Sequence, residues 1–139
     1  MATTRNARAH WEGTLLEGQG TVELTSSGIG TFPITWASRA ESADGRTSPE
    51  ELIAAAHASC FSMALSNGLA KSGNPAISLN TSVEVDFQPG VGITEIRITL
   101  SGEAENLDAA GFQAAAEDAK ANCPVSKALA AVPITLTVV

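Results

Sequence analysis

The stretch that most constrains this chain is Ser48-Pro49-Glu50-Glu51 followed by fourteen residues, Leu52 to Leu65, that include no Asp, Glu, Lys or Arg. Its start has the chemistry of a helix N-terminus. Ser48 is a good N-cap, Pro49 suits the first helical position, and Glu51 stands where a capping box needs its acid. Glu50 and Glu51 also put negative charge at the positive end of the helix dipole. The helix is expected to run from Pro49 to about Lys71, where Gly73-Asn74-Pro75 stops it. A helix apolar on every side is expected to be buried on every side, which makes this one a central element. His57 and Cys60 lie within it, three residues apart and so on one helical face.

The rest of the chain is read around that helix. Ala7–Trp11 and Gly20–Leu24 flank a glycine-rich centre and predict a β-hairpin. Ser26–Gly30 is a turn, and Phe32–Arg39 reads as a third strand broken by Pro33. Ile77–Phe87 alternates apolar and polar residues, the mark of a half-buried strand, and Ile93–Leu100 is its partner across Gln88–Gly92. Asp108 caps a second helix, Ala109 to Asn122, with Phe112, Ala115, Ala116 and Ala119 on one side. Ser126–Ala130 is expected to be a short helix and Pro133–Val139 a last strand. Strands, a long helix, a hairpin, helices and a strand make an α+β domain of antiparallel sheet and helices, a single domain over 1–139.

Composition narrows the function. A formal net charge of −7 with no Lys/Arg cluster argues against a nucleic-acid partner. No apolar run reaches the ~18 residues of a membrane span, and the polar N-terminus has no signal-peptide core. A cytoplasmic protein is expected. There, two cysteines are more often redox-active than a structural staple. With two His and two Cys, none closely paired, no metal site is expected.

Two readings of Cys60 stand side by side. It is a small buried hydrophobe in an Ala/Met/Phe helix, or a reactive thiol whose thiolate is favoured by His57 one turn away, with Ser59 and Ser62 nearby. Cys123, placed before Pro124 and outside a helix interior, is a thiol free enough to approach it. His57 likewise is either a thiolate partner or a core imidazole satisfied by a carbonyl or a serine. Arg39 and Arg46 are candidate anion-facing guanidiniums, with surface ion pairing as the plain alternative.

Three segments together resemble a known family. His10-Trp11-Glu12-Gly13, the run from Ser48 to Leu65, and Cys123-Pro124-Val125-Ser126 resemble, in order, segments of the OsmC/Ohr proteins of osmotic stress and organic-hydroperoxide resistance, the OsmC branch more than the Ohr branch. The resemblance implies a cysteine-based peroxidase that prefers organic hydroperoxides over hydrogen peroxide. By that resemblance Cys60 is the peroxidatic cysteine and Cys123 the resolving one that condenses with it to a disulfide. Arg39 is the active-site arginine, with Arg8 and Arg46 as substitutes, and Glu50 is the glutamate that holds it. No metal, flavin or other cofactor is implied. The implied reductant is a dithiol, by resemblance a lipoylated protein, and the implied assembly is an intertwined homodimer. Glu50 and Cys60 are about 15 Å apart along a straight helix, so either the arginine spans the gap or Glu50 of a second subunit approaches Cys60. The opposing class is a non-enzymatic binding protein with merely buried cysteines.

Overall fold

The computed structural model describes all 139 residues. Its backbone contacts divide the chain into two units, 1–50 and 51–139.

In the first unit three strands, β1 (Arg8–Glu12), β2 (Gln19–Glu23) and β3 (Thr31–Ile34), form an antiparallel sheet in the order β1-β2-β3. Gly20 lies opposite Trp11, and a side chain there would collide with the His10 carbonyl and the indole. The third strand ends earlier than its alternating pattern implies. Trp36–Ala40 is a short helix, α1, and Arg39 is in its last turn, not on a strand. The reason is local: Thr35 is an N-cap whose hydroxyl accepts from the Ser38 N–H, while Ser38 Oγ accepts from the Thr35 N–H. This reciprocal capping box satisfies two otherwise orphaned donors. The only buried side chains in the unit are Ser38 and Glu50; every hydrophobic one keeps some exposure.

The long helix, α2, spans Pro49–Lys71 as expected. It leads into β4 (Ala76–Gln88) and β5 (Gly92–Ala104), paired antiparallel with Val83 opposite Ile98 and Val85 opposite Ile96. α3 (Ala109–Asn122) follows, capped by the Asp108 carboxylate on the Gly111 N–H. α4 runs Pro124–Ala128, two residues earlier than its expected start, and β6 (Ile134–Val138) closes the chain. The second sheet is β4-β5-β6, and β6 joins β5 in parallel. That pairing departs from an all-antiparallel expectation; α3 and α4 supply the long crossover that a parallel neighbour requires.

The core of the second unit forms where α2 meets β5 and α3. Phe61, Leu65 and Leu69, spaced four apart along α2, pack with Ile98, Leu100, Phe112, Ala116, Ala119 and Cys123. α2 is therefore not buried on all sides. His57 extends the buried stripe, whereas Ala55, Ala56, Ser59 and Met63 remain exposed, Met63 to 71%. Its length and a mean hydropathy of 1.3 would also suit a membrane span, contrary to the expectation from charge-free runs alone. The packing of its buried stripe into the core makes it a core helix of this unit instead.

Candidate active site

Two groups of side chains match the expected site residues, one in each unit. In residues 1–50, Arg39 and Glu50 form a forked ion pair. The guanidinium Nε donates to Glu50 Oε1 and Oε2 at 3.0 and 3.2 Å, and Nη2 donates to Oε1 at 2.9 Å. Glu50 is buried and Arg39 half-buried. Two N–H groups on one carboxylate hold the guanidinium plane in a single orientation, which an ammonium could not reproduce. The alternative arginines are occupied differently. Arg8 pairs with Glu23 at 2.6 Å on the sheet surface, and Arg46 lies 3.6 Å from Asp44 in its own loop. Beside Arg39, the side chains of Trp11, Leu15, Ile34, Thr35, Trp36 and Pro49 line a largely apolar hollow of about 320 Å³.

In residues 51–139 the two cysteines are free thiols with their sulfurs 3.1 Å apart. Their meeting needs no mobile segment. Cys123 is at once the last-turn cap of α3 and the N-cap of α4, and it is fully buried. Pro124 forces this break, because the residue before a proline is driven out of helical geometry: Cys123 has φ −57 and ψ 130. Cys60 is half-buried and opens onto a cleft of about 620 Å³ that also includes Ser59, Met63, Ala64, Asn67 and Pro124. Cys60 is thus the sulfur a solute reaches first.

The two thiols titrate as a pair and in opposite directions. Burial pushes the Cys60 thiol up, the Val125 N–H draws it down, and the adjoining Cys123 sulfur raises it again. Burial also acts upward on Cys123, but hydrogen bonds from the Ser126 N–H, the Cys60 thiol, the Ser126 hydroxyl and the Val125 N–H together bring it below its usual value. The two sulfurs share one hydrogen bond across 3.1 Å, so the first proton lost belongs to the pair and not to either thiol alone.

His57 does not touch either sulfur among its hydrogen bonds. It is fully buried, and its Nε2 meets Ser126 Oγ at 2.7 Å. Burial lowers its pKa, so the ring is neutral near pH 7 and is not the cation that would favour a thiolate on Cys60. Ser59 and Ser62 donate to carbonyls of their own helix, and Ser62 also meets Thr81 at 2.8 Å. Ser126 is the residue that sequence reasoning passed over. The available signal was its place three residues after Cys123 in a Cys-Pro pair, where a helix begun at Pro124 puts it in the first turn.

Comparison with known proteins agrees in sequence and in fold. The OsmC-like protein family matches residues 42–137. Two relatives, the Peroxiredoxin OsmC of Escherichia coli K12 and that of Shigella flexneri, are each 40% identical over 134 residues, 94% of this chain and 93% of theirs. An organic hydroperoxide resistance protein OsmC from Legionella pneumophila superposes with a TM-score of 0.73 at 26% identity, over 99% of this chain and 98% of that one. An OsmC-like protein from Mycoplasma pneumoniae, at 13% identity, shares the fold with a TM-score of 0.74 over 100% of this chain and 98% of that one. A cysteine in the middle of a long helix, a second cysteine at a helix break 3.1 Å away, and an alignment running nearly end to end lead to one assignment: this chain belongs to the OsmC family.

Proposed function

We propose that the protein is a thiol-dependent peroxidase of stress defence that reduces organic hydroperoxides, and hydrogen peroxide more weakly. The observation that carries the reading is the pair of free sulfurs 3.1 Å apart, one facing a cleft and one sealed. The Cys60 thiolate attacks the terminal peroxide oxygen; the O–O bond breaks, its electron pair leaves on the alkoxide, and a proton completes the alcohol. Cys60 is left as a sulfenic acid. The Cys123 sulfur attacks Cys60, the S–S bond forms, the S–O bond breaks and water leaves. A nearby second thiol protects the sulfenic acid from further oxidation.

The reaction also calls for a cation where negative charge shifts from sulfur to oxygen. Cys60, raised by its surroundings within residues 51–139, needs one. We assign that role to Arg39, oriented by Glu50. The disulfide is returned to thiols by a dithiol supplying two electrons and two protons, which we take to be a lipoylated protein in the cytoplasm. The chain acts as one OsmC-like domain in a homodimer. Support for the dimer comes from the exposed face of α2 and from the absence of any buried hydrophobic side chain in residues 1–50, a condition a folded unit does not sustain without further cover.

Mass spectrometry after one equivalent of an alkyl hydroperoxide tests the mechanism. Wild-type protein is expected to lose two hydrogens, with Cys60 and Cys123 joined. Cys60→Ser is expected to abolish peroxide consumption, and Cys123→Ser to permit a single turnover. Wild-type turnover by Cys60→Ser would overturn the reading, as would two unreacted thiols after peroxide, the result a binding protein with inert cysteines would give.

A further inference from the structure

The mechanism above leaves one buried contact unused. His57 on α2 and Ser126 on α4 are 0% and 5% exposed, and the 2.7 Å between Nε2 and Oγ is a short, dry hydrogen bond joining the two helices that carry the cysteines. His57 Nδ1 is buried with no partner. A neutral imidazole carries one N–H, and a buried N–H left unbonded is rarer and costlier than a bare ring nitrogen. That places the proton on Nε2, where it donates to Ser126 Oγ. The Ser126 hydroxyl then has its own hydrogen free for an acceptor, and it acts on the Cys123 thiol by drawing it down. The Ser126 backbone N–H points at the same sulfur at 3.5 Å.

We propose that His57 and Ser126 are positioning residues for the resolving step, a relay from His57 Nε2–H through Ser126 to Cys123 Sγ that keeps this sulfur aimed at Cys60. The relay rests on the peroxidase reading for its purpose. When Cys60 is a sulfenic acid, the attacking sulfur must be charged and in line. At 3.1 Å it already stands at near-attack separation. Hydroxide leaving from the sulfenic acid takes a proton from the surroundings and departs as water, so the relay itself gains and loses no proton. The groups that act on the Cys123 thiol are its burial, the two N–H groups of α4, the Ser126 hydroxyl and Cys60; His57 reaches it through Ser126.

The test separates the relay from the reaction it serves. In a Cys60→Ser background, the ultraviolet absorbance of the thiolate titrates Cys123 without any peroxide. Removing the hydroxyl in Ser126→Ala is expected to leave about tenfold less thiolate at a given pH below the midpoint, the worth of one hydrogen bond to a charged atom. Ser126→Thr, which keeps the hydroxyl, is expected to recover it. In full-length protein with both cysteines, a sulfenic-acid probe follows decay of oxidised Cys60. The ratio of resolution rate to sulfenic-acid formation rate is expected to fall about tenfold in Ser126→Ala and in His57→Leu, with recovery in Ser126→Thr and His57→Gln. Equal titration of Ser126→Ala and Ser126→Thr would overturn the proposal, and so would equal resolution by His57→Leu and His57→Gln, a pair that remains informative if Ser126→Ala does not fold. Absence of any sulfenic acid on Cys60 in Cys123→Ser, together with no disulfide in wild type after peroxide, would instead overturn the peroxidase reading, while the titration still decides the relay.

Discussion

At Thr35 a single hydroxyl decides whether the next five residues extend a strand or turn into a helix. Phe32, Ile34 and Trp36 alternate as a strand would, and five helical residues are too few to display a period of 3.6, so the change at Thr35 leaves almost no trace in hydrophobic pattern. Its trace is in the Thr35–Ser38 spacing. Thr35→Val keeps the shape and removes the acceptor; it is expected to cost ~1 kcal/mol of stability in urea unfolding, and an unchanged midpoint would deny the cap that role. Arg39 depends on this turn for its place. Replacing it in Arg39→Lys keeps the charge and loses the fork on Glu50. Peroxide turnover is expected to drop at least tenfold, the loss of one charge-assisted hydrogen bond; wild-type turnover would remove Arg39 from the site. The cysteines, Arg39 and Glu50 could be singled out as candidates in the sequence because their segments carry recognisable motifs. Ser126 was not, because a serine acquires meaning only from what the fold sets beside it.

Among the elements, α2 shows how far local chemistry reaches. Ser48, Pro49 and the Gly73-Asn74-Pro75 stop mark a helix whose bounds, Pro49–Lys71, match those read from the sequence. Its burial was not legible in the same way. An absence of charge along Leu52–Leu65 says that every face tolerates a dry neighbour, but not which neighbour the chain itself provides. Only the His57, Phe61, Leu65 and Leu69 stripe is covered within residues 51–139. His57 on that stripe makes the helix sensitive to pH. Its folded pKa lies below the ordinary 6.5 because burial disfavours the imidazolium. An unfolded chain therefore binds the proton first, and the stability this residue contributes is present above pH 6.5 and is lost as pH falls from 6.5 through the folded value. The slope in that window is up to ~1.4 kcal/mol per pH unit. Denaturant midpoints of wild type minus those of His57→Gln, followed from pH 8 to 5 (about the window where histidine titrates), are expected to narrow towards acid. A constant difference would mean that His57 has the same pKa folded and unfolded, so that burial does not disfavour its imidazolium.

For the whole molecule, the two units pose the same physical problem from opposite ends. Residues 51–139 bury a real core yet leave Ala55, Ala56, Ser59 and Met63 of α2 uncovered; residues 1–50 bury no hydrophobic side chain and expose Leu15, Leu16 and Ile29. Each is left with apolar surface that water does not favour. The homodimer proposed above would resolve this by burying the same small-residue face of α2 in both copies, as a two-fold interface requires. Small residues such as Ala55 and Ser59 allow close approach, and the groove they share with Asn80, Ser82 and Ser101 offers polar partners along its edge. The expected sedimentation mass of the wild type at micromolar concentration is twice that of the 14.2 kDa chain. Ala55→Arg puts a long charged side chain onto that face, where an unpaired buried charge costs several kcal/mol. It is expected to sediment as a monomer and to show lower stability, because the cover is lost along with the partner. A wild type that sediments as a single chain would show that this face meets solvent, and a dimeric Ala55→Arg would move the interface away from Ala55.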